Sequence, residues 1–344
     1  MVMTLKQRVE SFSELGMILR DALEGITNSY STDIEKHINN QQLKNPWFTP
    51  DNVKLAIKSI ADELTYENLL EWTNCYPSLN DDNKSINVGV IMAGNIPLAG
   101  FHDFLSVLIT GNNIIAKTSS KDQDLIVLIG RILSEINPEF KNKIIFNEGT
   151  LKDFDAVIAT GSDNSSRYFE YYFRKYYHII RRNRNSIAVI RGTESEKELT
   201  SLGKDVFSYF GFGCRNVSKI YFPEGYRISE LTKYWVGYSS IINHNKYANN
   251  YDYNKAIFQV NREEFIDTGY LIFRENKSIA SPVAVLFYEF YNSVNDVYKT
   301  IEKERDRIQC VISKNDTPFG NAQSPHLWDY ADGIDTVDFL LKKK

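Results

Sequence analysis

The chain has 344 residues, 42% of them apolar, and a net charge of −4: enough material for a real core in two domains, or in one large α/β domain with additions, and too much for wholesale disorder. The acidic balance gives no support for a nucleic-acid partner, and Cys75, Cys214 and Cys310 are too few and too scattered for a disulfide framework or a zinc site, which predicts free thiols in a reducing compartment and no metal. With no charged-then-apolar leader and no run approaching 18 apolar residues, the expectation is a cytoplasmic protein with no membrane span.

Residues 1 to about 75 read as helical. Leu5, Val9, Phe12, Leu15, Leu19, Leu23 and Ile26 recur every three or four positions, the mark of an amphipathic helix. Asn45-Pro46-Trp47-Phe48 breaks the pattern, and Thr49-Pro50-Asp51 restarts it with a cap residue followed by proline at the first helical position. These helices carry no chemistry and read as packing or assembly elements.

At Ser85 the character changes. Apolar runs at 86–93, 113–117, 143–146, 156–161 and 186–190 predict strands, and the segments 98–110, 122–136 and 163–175 between them predict helices. Strands without polar alternation, separated by helices of this length, indicate a parallel sheet covered on both faces, with ligands gathering at the C-terminal strand ends. Those ends carry Gly94-Asn95, Lys117-Thr118-Ser119-Ser120 and Thr160-Gly161-Ser162, small and polar residues suited to a nucleotide. Neither GxGxxG nor GxxxxGK[ST] occurs.

A second α/β unit follows. A helix is predicted at 195–209, strands at 218–223, 269–273, 284–288 and 308–312, and helices at 228–242 and 294–305. The Tyr- and Asn-rich stretch 243–268 reads as a surface excursion, Arg181-Arg182-Asn183-Arg184 as a basic run able to meet phosphates or to be a solvated face, and Lys342-Lys343-Lys344 as a solvated tail. The expected boundaries are 1–192 for the N-terminal helices plus a dinucleotide-binding domain, 193–320 for a catalytic domain, and 321–344 for a C-terminal segment. Within the second unit, Phe210-Gly211-Phe212-Gly213-Cys214-Arg215 combines two glycines, which let the backbone turn tightly, with a thiol and an adjacent cation. The residues leave two readings open: an activated nucleophile, or a small buried hydrophobe.

From Val88 to about Lys314 the sequence resembles the aldehyde dehydrogenase superfamily, and within it the luciferase-linked bacterial fatty acyl-CoA reductases. Gly94-Asn95-Ile96-Pro97-Leu98, Asn113-Ile114-Ile115-Ala116-Lys117-Thr118-Ser119, Ala159-Thr160-Gly161-Ser162 and Cys214 come in the family's order, with Ala280-Ser281-Pro282-Val283 as a weaker fifth match. The resemblance implies a Rossmann-like parallel-sheet cofactor domain and a smaller catalytic domain. It makes Cys214 the nucleophile, Asn95 an oxyanion donor together with the Cys214 backbone N–H, Lys117 a partner of the adenosine ribose, and Thr160, Gly161 and Ser162 neighbours of the nicotinamide half. NAD-preferring relatives carry an acid three residues beyond the lysine. Here Ser119, Ser120 and Lys121 offer hydroxyls and an ammonium, which suit the 2′-phosphate of NADPH.

The departures matter as much. The glutamate that activates water in hydrolytic relatives, and the Gly-Gly pair after it, have no counterpart near Arg181–Asn185, and the later ribose-binding glutamate is replaced at Ser278. Unless a base comes from elsewhere in the chain, an acyl group on Cys214 then awaits hydride or another thiol instead of water. The expected activity is NADPH-dependent reduction of a fatty acyl-CoA or acyl-protein thioester to the aldehyde, in a homo-oligomer served by an acyl-transferring partner protein. A γ-glutamyl-phosphate-type reductase and a non-catalytic assembly protein on the same fold are the alternatives.

Overall fold

The structure, a computed structural model, describes residues 3–81, 84–147 and 149–343; Lys344 of the expected lysine tail lies outside them. The chain divides into two compact units, residues 1–183 together with 325–344, and residues 184–324.

In the first unit, four helices, α1 (Leu5–Glu24), α2 (Ser31–Lys44), α3 (Pro50–Glu63) and α4 (Tyr66–Asn74), precede the sheet. Thr4 and Gln7 form a capping box at the start of α1, and Gly25, at φ 75°, ends it in the left-handed region that glycine tolerates. Val9, Phe12 and Leu15 of α1 are fully buried in one apolar core with Phe104, Leu105 and Leu108 from behind the sheet. Arg8 is buried too. Its guanidinium donates to the carbonyls of Met3, Leu79 and Ile109, and desolvation lowers its pKa to about 10. The N-terminal helices are therefore part of this unit's core.

The sheet contains β1 (Asn87–Ile91), β2 (Asn113–Lys117), β3 (Ile144–Phe146), β4 (Ala156–Thr160) and β5 (Tyr177–Arg181). They are parallel in the order β3-β2-β1-β4-β5, with α5 (Phe101–Ile109), α6 (Asp124–Ile136) and α7 (Asp163–Phe173) as connections. The chain runs outward from β1 in one direction and returns to β4 on its other side, so the strand order reverses at β1/β4. A crevice opens at such a switch point. Strand β5 was not among the expected elements, because its ends, Tyr177-His178 and Arg181, mask the apolar Ile179-Ile180 pair.

The second unit is built on β6 (Asn185–Val189), β7 (Val217–Pro223), β8 (Ile266–Asp267), β9 (Ile272–Glu275), β10 (Val285–Tyr291) and β11 (Ile308–Ile312), in the order β11-β6-β7-β10-β9-β8, parallel except for β8. Helices α8 (Glu196–Phe207), α9 (Ile228–Thr232), α10 (Asn245–Val260) and α11 (Val294–Lys303) accompany it. The segment read as a surface excursion is thus largely α10. Its stripe is Tyr247, Tyr251, Asn254 and Phe258, all buried at helical spacing, and tyrosine and asparagine concealed that stripe in a polar-looking sequence. The last helix, α12 (Thr336–Lys342), returns to the first unit, where Val337 and Leu340 are fully buried and Phe339 stacks on Tyr177 at 4.1 Å. Among the described residues no helix is long and apolar enough to cross a membrane.

Candidate active site

In the first unit, the loops after β1, β2 and β4 leave three adjacent strands at the same edge. Ile91 pairs with Lys117 across β1/β2 and with Ala159 across β1/β4, and the Met92 N–H donates to the Lys117 carbonyl at 3.0 Å. Lys117 is the half-buried last residue of β2; Ser119 is half-buried, and Ser120 and Lys121 are exposed. Gly94 is required by contact: a Cβ there would lie 2.3 Å from the Ser119 hydroxyl, so only glycine lets the two loops meet. Asn95, beside it, is exposed. Thr160 ends β4, and Ser162 caps α7, its hydroxyl accepting from the Ser165 N–H. Gly161 lies so close to Phe169 and Ser165 that a Cβ would approach both to 2.8 Å.

A residue not singled out from the sequence joins two of these loops. Asp122 is buried, and its carboxylate accepts from the backbone N–H groups of Leu98 and Ala99, while its own N–H donates to the Ser119 carbonyl at 3.0 Å. It thereby ties the loop of Asn95 to the loop of Ser119, and Leu98 is held at φ 59°, left-handed for a leucine. Burial pushes the Asp122 carboxyl up to about 7, against the pull of those two N–H groups. An ammonium, several hydroxyls, an exposed amide and a helix N-terminus thus collect at the ends of three neighbouring strands. This donor set fits the phosphates and riboses of a dinucleotide. Among the described residues there is no cluster of three His, Cys, Asp or Glu placed to hold a metal.

In the second unit the Cys214 stretch follows α8. That helix begins with a capping box between Ser195 and Glu198 and ends at Phe207. Tyr209 (φ 51°), Phe210 (φ 57°) and Gly211 (φ 82°) then run left-handed in succession. For the two non-glycine residues this costs about 1–2 kcal/mol each, so the surroundings must impose it. Phe210 is seated against His244 (4.4 Å between ring centroids) and Tyr247 (6.1 Å), both at the start of α10. Cys214 follows, half-buried, in the first central position of a β-turn from Gly213 to Asn216 that is closed by the Asn216 N–H donating to the Gly213 carbonyl at 2.9 Å. Its own carbonyl accepts from the Ser186 hydroxyl at 2.9 Å, and the same hydroxyl lies 3.0 Å from the Cys310 thiol. Beside the stretch is a cavity of about 30 Å³, lined among others by Phe207, Phe210, Tyr247, Leu271, Pro282 and Val283. Ser281, Pro282 and Val283 of the weaker sequence match therefore line the same cavity as Phe210 and Gly211.

The basic run is corrected by the structure. Arg181 is 3% exposed and donates to Asp103 at 2.7 Å, to the Thr336 hydroxyl at 2.8 Å and to the Ala331 carbonyl at 2.6 Å. It is an internal anchor of the first unit and not a surface cation. Arg182 pairs with Glu170, and Arg184 donates to the carbonyls of Arg305 and Ile308.

Known proteins resemble this chain in sequence and in fold. Residues 83–236 match the family model described as acyl-CoA reductase (LuxC). A long-chain acyl-protein thioester reductase of Aliivibrio fischeri is 22% identical over 228 residues, 60% of this chain and 46% of that protein, so the match spans just under half of the relative's length. Among solved structures, an aldehyde dehydrogenase of Bacillus cereus in complex with NAD+ superposes with a TM-score of 0.62 at 12% identity, covering 91% of this chain and 72% of that one. Aldehyde dehydrogenase 21 of Physcomitrella patens gives 0.62 at 13% identity, with 91% and 74% covered. The fold is that of the aldehyde dehydrogenases, preceded by N-terminal helices, and residues 83–236 are similar in sequence to the acyl-CoA reductase family model.

Proposed function

We propose that the protein reduces a fatty acyl thioester to the aldehyde, with NADPH as hydride donor and Cys214 as covalent acyl carrier. The observation that carries this reading is the placement of Cys214 at the corner of a tight turn, behind a left-handed backbone run, in a chain related to thioester reductases. Backbone strain of this kind concentrates at functional sites.

In this mechanism the Cys214 thiolate attacks the acyl carbonyl. A sulfur–carbon bond forms, the bond to the leaving thiol breaks, and coenzyme A or a carrier thiol departs as thiolate. Asn95 is the proposed oxyanion donor, a role worth roughly 3 kcal/mol of barrier. What NADPH supplies is a hydride for the carbonyl carbon of the acyl-enzyme. The thiohemiacetal left on Cys214 collapses to aldehyde and regenerates the thiolate. Lys117 is assigned to the adenosine ribose, Ser119 and Ser120 with Lys121 to the 2′-phosphate, and Thr160, Gly161 and Ser162 to the nicotinamide half. With no acid among Lys117–Lys121, a 2′-phosphate meets an ammonium and hydroxyls instead of a like charge.

The test is steady-state oxidation of NADPH and of NADH with three donor classes: acyl-CoA thioesters of rising chain length, an acylated carrier protein, and an acyl phosphate. The expected result is turnover with thioesters, faster with NADPH, and abolished by Cys214→Ala. Turnover with the acyl phosphate alone would point to the glutamyl-phosphate type, and no turnover with any donor to a non-catalytic role. A homo-oligomer served by an acyl-transferring partner belongs to the same reading; light scattering of the purified protein, giving the mass of a single chain, would remove the first part of it.

A further inference from the structure

The turn that carries Cys214 is fastened by one side chain. Asn216 is 2% exposed, and every polar atom of its carboxamide is engaged. Its Oδ1 accepts from the Gly213 N–H at 2.8 Å, while its own backbone N–H donates to the Gly213 carbonyl at 2.9 Å, so the two ends of the turn are joined twice. Its Nδ2 donates in the other direction, to the Ser208 carbonyl at 2.8 Å, the Asp205 carbonyl at 3.0 Å and the Val206 carbonyl at 3.4 Å. Those carbonyls belong to the last turn of α8 and the residue after it, where a helix leaves its final carbonyls without partners. One amide therefore satisfies that helix end and pulls it toward the start of the nucleophile turn. Between its anchor points lie Tyr209, Phe210 and Gly211, the three left-handed residues. A short chain whose two ends are drawn together in this way has little choice but to bulge, and this accounts for a conformation that tyrosine and phenylalanine do not adopt by preference.

We propose that Asn216 is a positioning residue for Cys214: its carboxamide joins the C-terminal end of α8 to the Gly213–Asn216 turn and so holds Cys214 at the corner of that turn. The inference rests on the reading of Cys214 as nucleophile, but it concerns presentation of the thiol and not its acylation. Alanine at 216 removes the second join at Gly213 and all three carbonyl contacts. The Tyr209–Gly211 bulge then relaxes toward ordinary backbone, and the thiol leaves the corner. Serine keeps a short acceptor for the Gly213 N–H but cannot reach the carbonyls, so it separates the two halves of the latch. Aspartate keeps the acceptor and turns an oxygen toward three carbonyl oxygens.

The experiment is peptide-resolved mass spectrometry of iodoacetamide alkylation across pH 6–9 on the full chain, with no substrate or cofactor. Exposed Cys75, in the first unit, serves as the internal reference. Trp235→Phe is the control for general destabilisation of the second unit, since it removes the buried indole's bond to the Leu199 carbonyl (2.8 Å) and part of its packing on Phe207 and Phe273, and leaves every contact of the Asn216 carboxamide in place. The expected result is a fall of at least fivefold in the Cys214/Cys75 rate ratio in Asn216→Ala, a similar fall in Asn216→Asp, a smaller one in Asn216→Ser, and no change in Trp235→Phe. A ratio within twofold of wild type in Asn216→Ala, a rise in that ratio, or an equal fall in Trp235→Phe would overturn the proposal. Should the alanine variant fail to fold, hydrogen exchange in the unaltered protein decides: a Gly213 amide exchanging as fast as exposed loop amides contradicts the latch, and one protected like the β7 core supports it. Because alkylation needs no turnover, the latch stands or falls separately from whether Cys214 accepts an acyl group.

Discussion

A buried ion pair and a buried carboxyl in the first unit respond to substitution in different ways. Arg181 and Asp103 form an ion pair with side-chain exposures of 3% and 9%, reinforced by Thr336 and the Ala331 carbonyl. Removing one member strands the other in a dry interior, which costs roughly 3–5 kcal/mol. Arg181→Ala is therefore expected to lower the urea midpoint of the first unit strongly, whereas Arg182→Ala, at an exposed pair, leaves it almost unchanged. Equal effects of the two would return Arg181 to the surface run it resembles in sequence. Asp122 acts through pH. Its folded carboxyl holds a proton up to about pH 7, well above the ordinary aspartate range of the unfolded chain. The folded state thus binds more protons than the unfolded state between about pH 4 and pH 7, and stability falls as pH rises through that window and is flat above it. Asp205, raised by burial to about 6, adds a slope of the same sign that ends lower. Thermal melts from pH 4 to 8 should show a shallower decline in Asp122→Asn than in the unaltered protein; an unchanged slope would mean that Asp122 is not the titrating group. Neither Asp122 nor Asn216 stands out in the linear sequence. Asp122 reads as the start of the predicted helix 122–136 and Asn216 as one more residue of the cysteine stretch, and what makes each matter is a set of backbone N–H or carbonyl groups that only the folded loops bring to it.

At the scale of elements, the strands were legible where the chain is buried on both faces. The apolar runs that became β1, β2, β4 and β6 lack polar alternation, as strands of a covered parallel sheet do. Strand β5 and helix α10 were not legible, because several of their buried positions are filled by arginine, tyrosine and asparagine whose polar ends find partners in the fold. The Tyr247 hydroxyl donates to the Tyr270 carbonyl at 2.9 Å, and the Asn254 amide to the Val283 carbonyl at 2.9 Å. The C-terminal helix tests how far the first unit depends on residues distant in sequence. Truncation after Asp335 removes fully buried Val337 and Leu340, each worth about 1.5–3 kcal/mol, together with the Thr336 hydroxyl bound by Arg181. The expected outcome is a loss of soluble yield or a clearly lower melting temperature. A melting curve that overlays that of the full chain would show that α12 adds nothing to the unit.

For the whole molecule, the order of short motifs along the chain carried more than any one of them. Gly94-Asn95, Lys117–Ser120 and Thr160–Ser162 are unremarkable as peptides, yet the sheet order β3-β2-β1-β4-β5 brings all three to one edge. Cys214 then falls in a second sheet-based unit, on a turn whose neighbouring backbone is held left-handed. In the proposed function this cysteine carries an acyl group that waits for hydride. The most direct measurement is intact-protein and peptide mass spectrometry after exposure to a fatty acyl-CoA without NADPH, repeated after NADPH is added. The predicted result is a single acyl adduct on the peptide containing Cys214, absent from Cys214→Ala, which disappears with NADPH as the aldehyde forms. An adduct that persists in Cys214→Ala, or one on Cys214 that NADPH leaves in place, would contradict it.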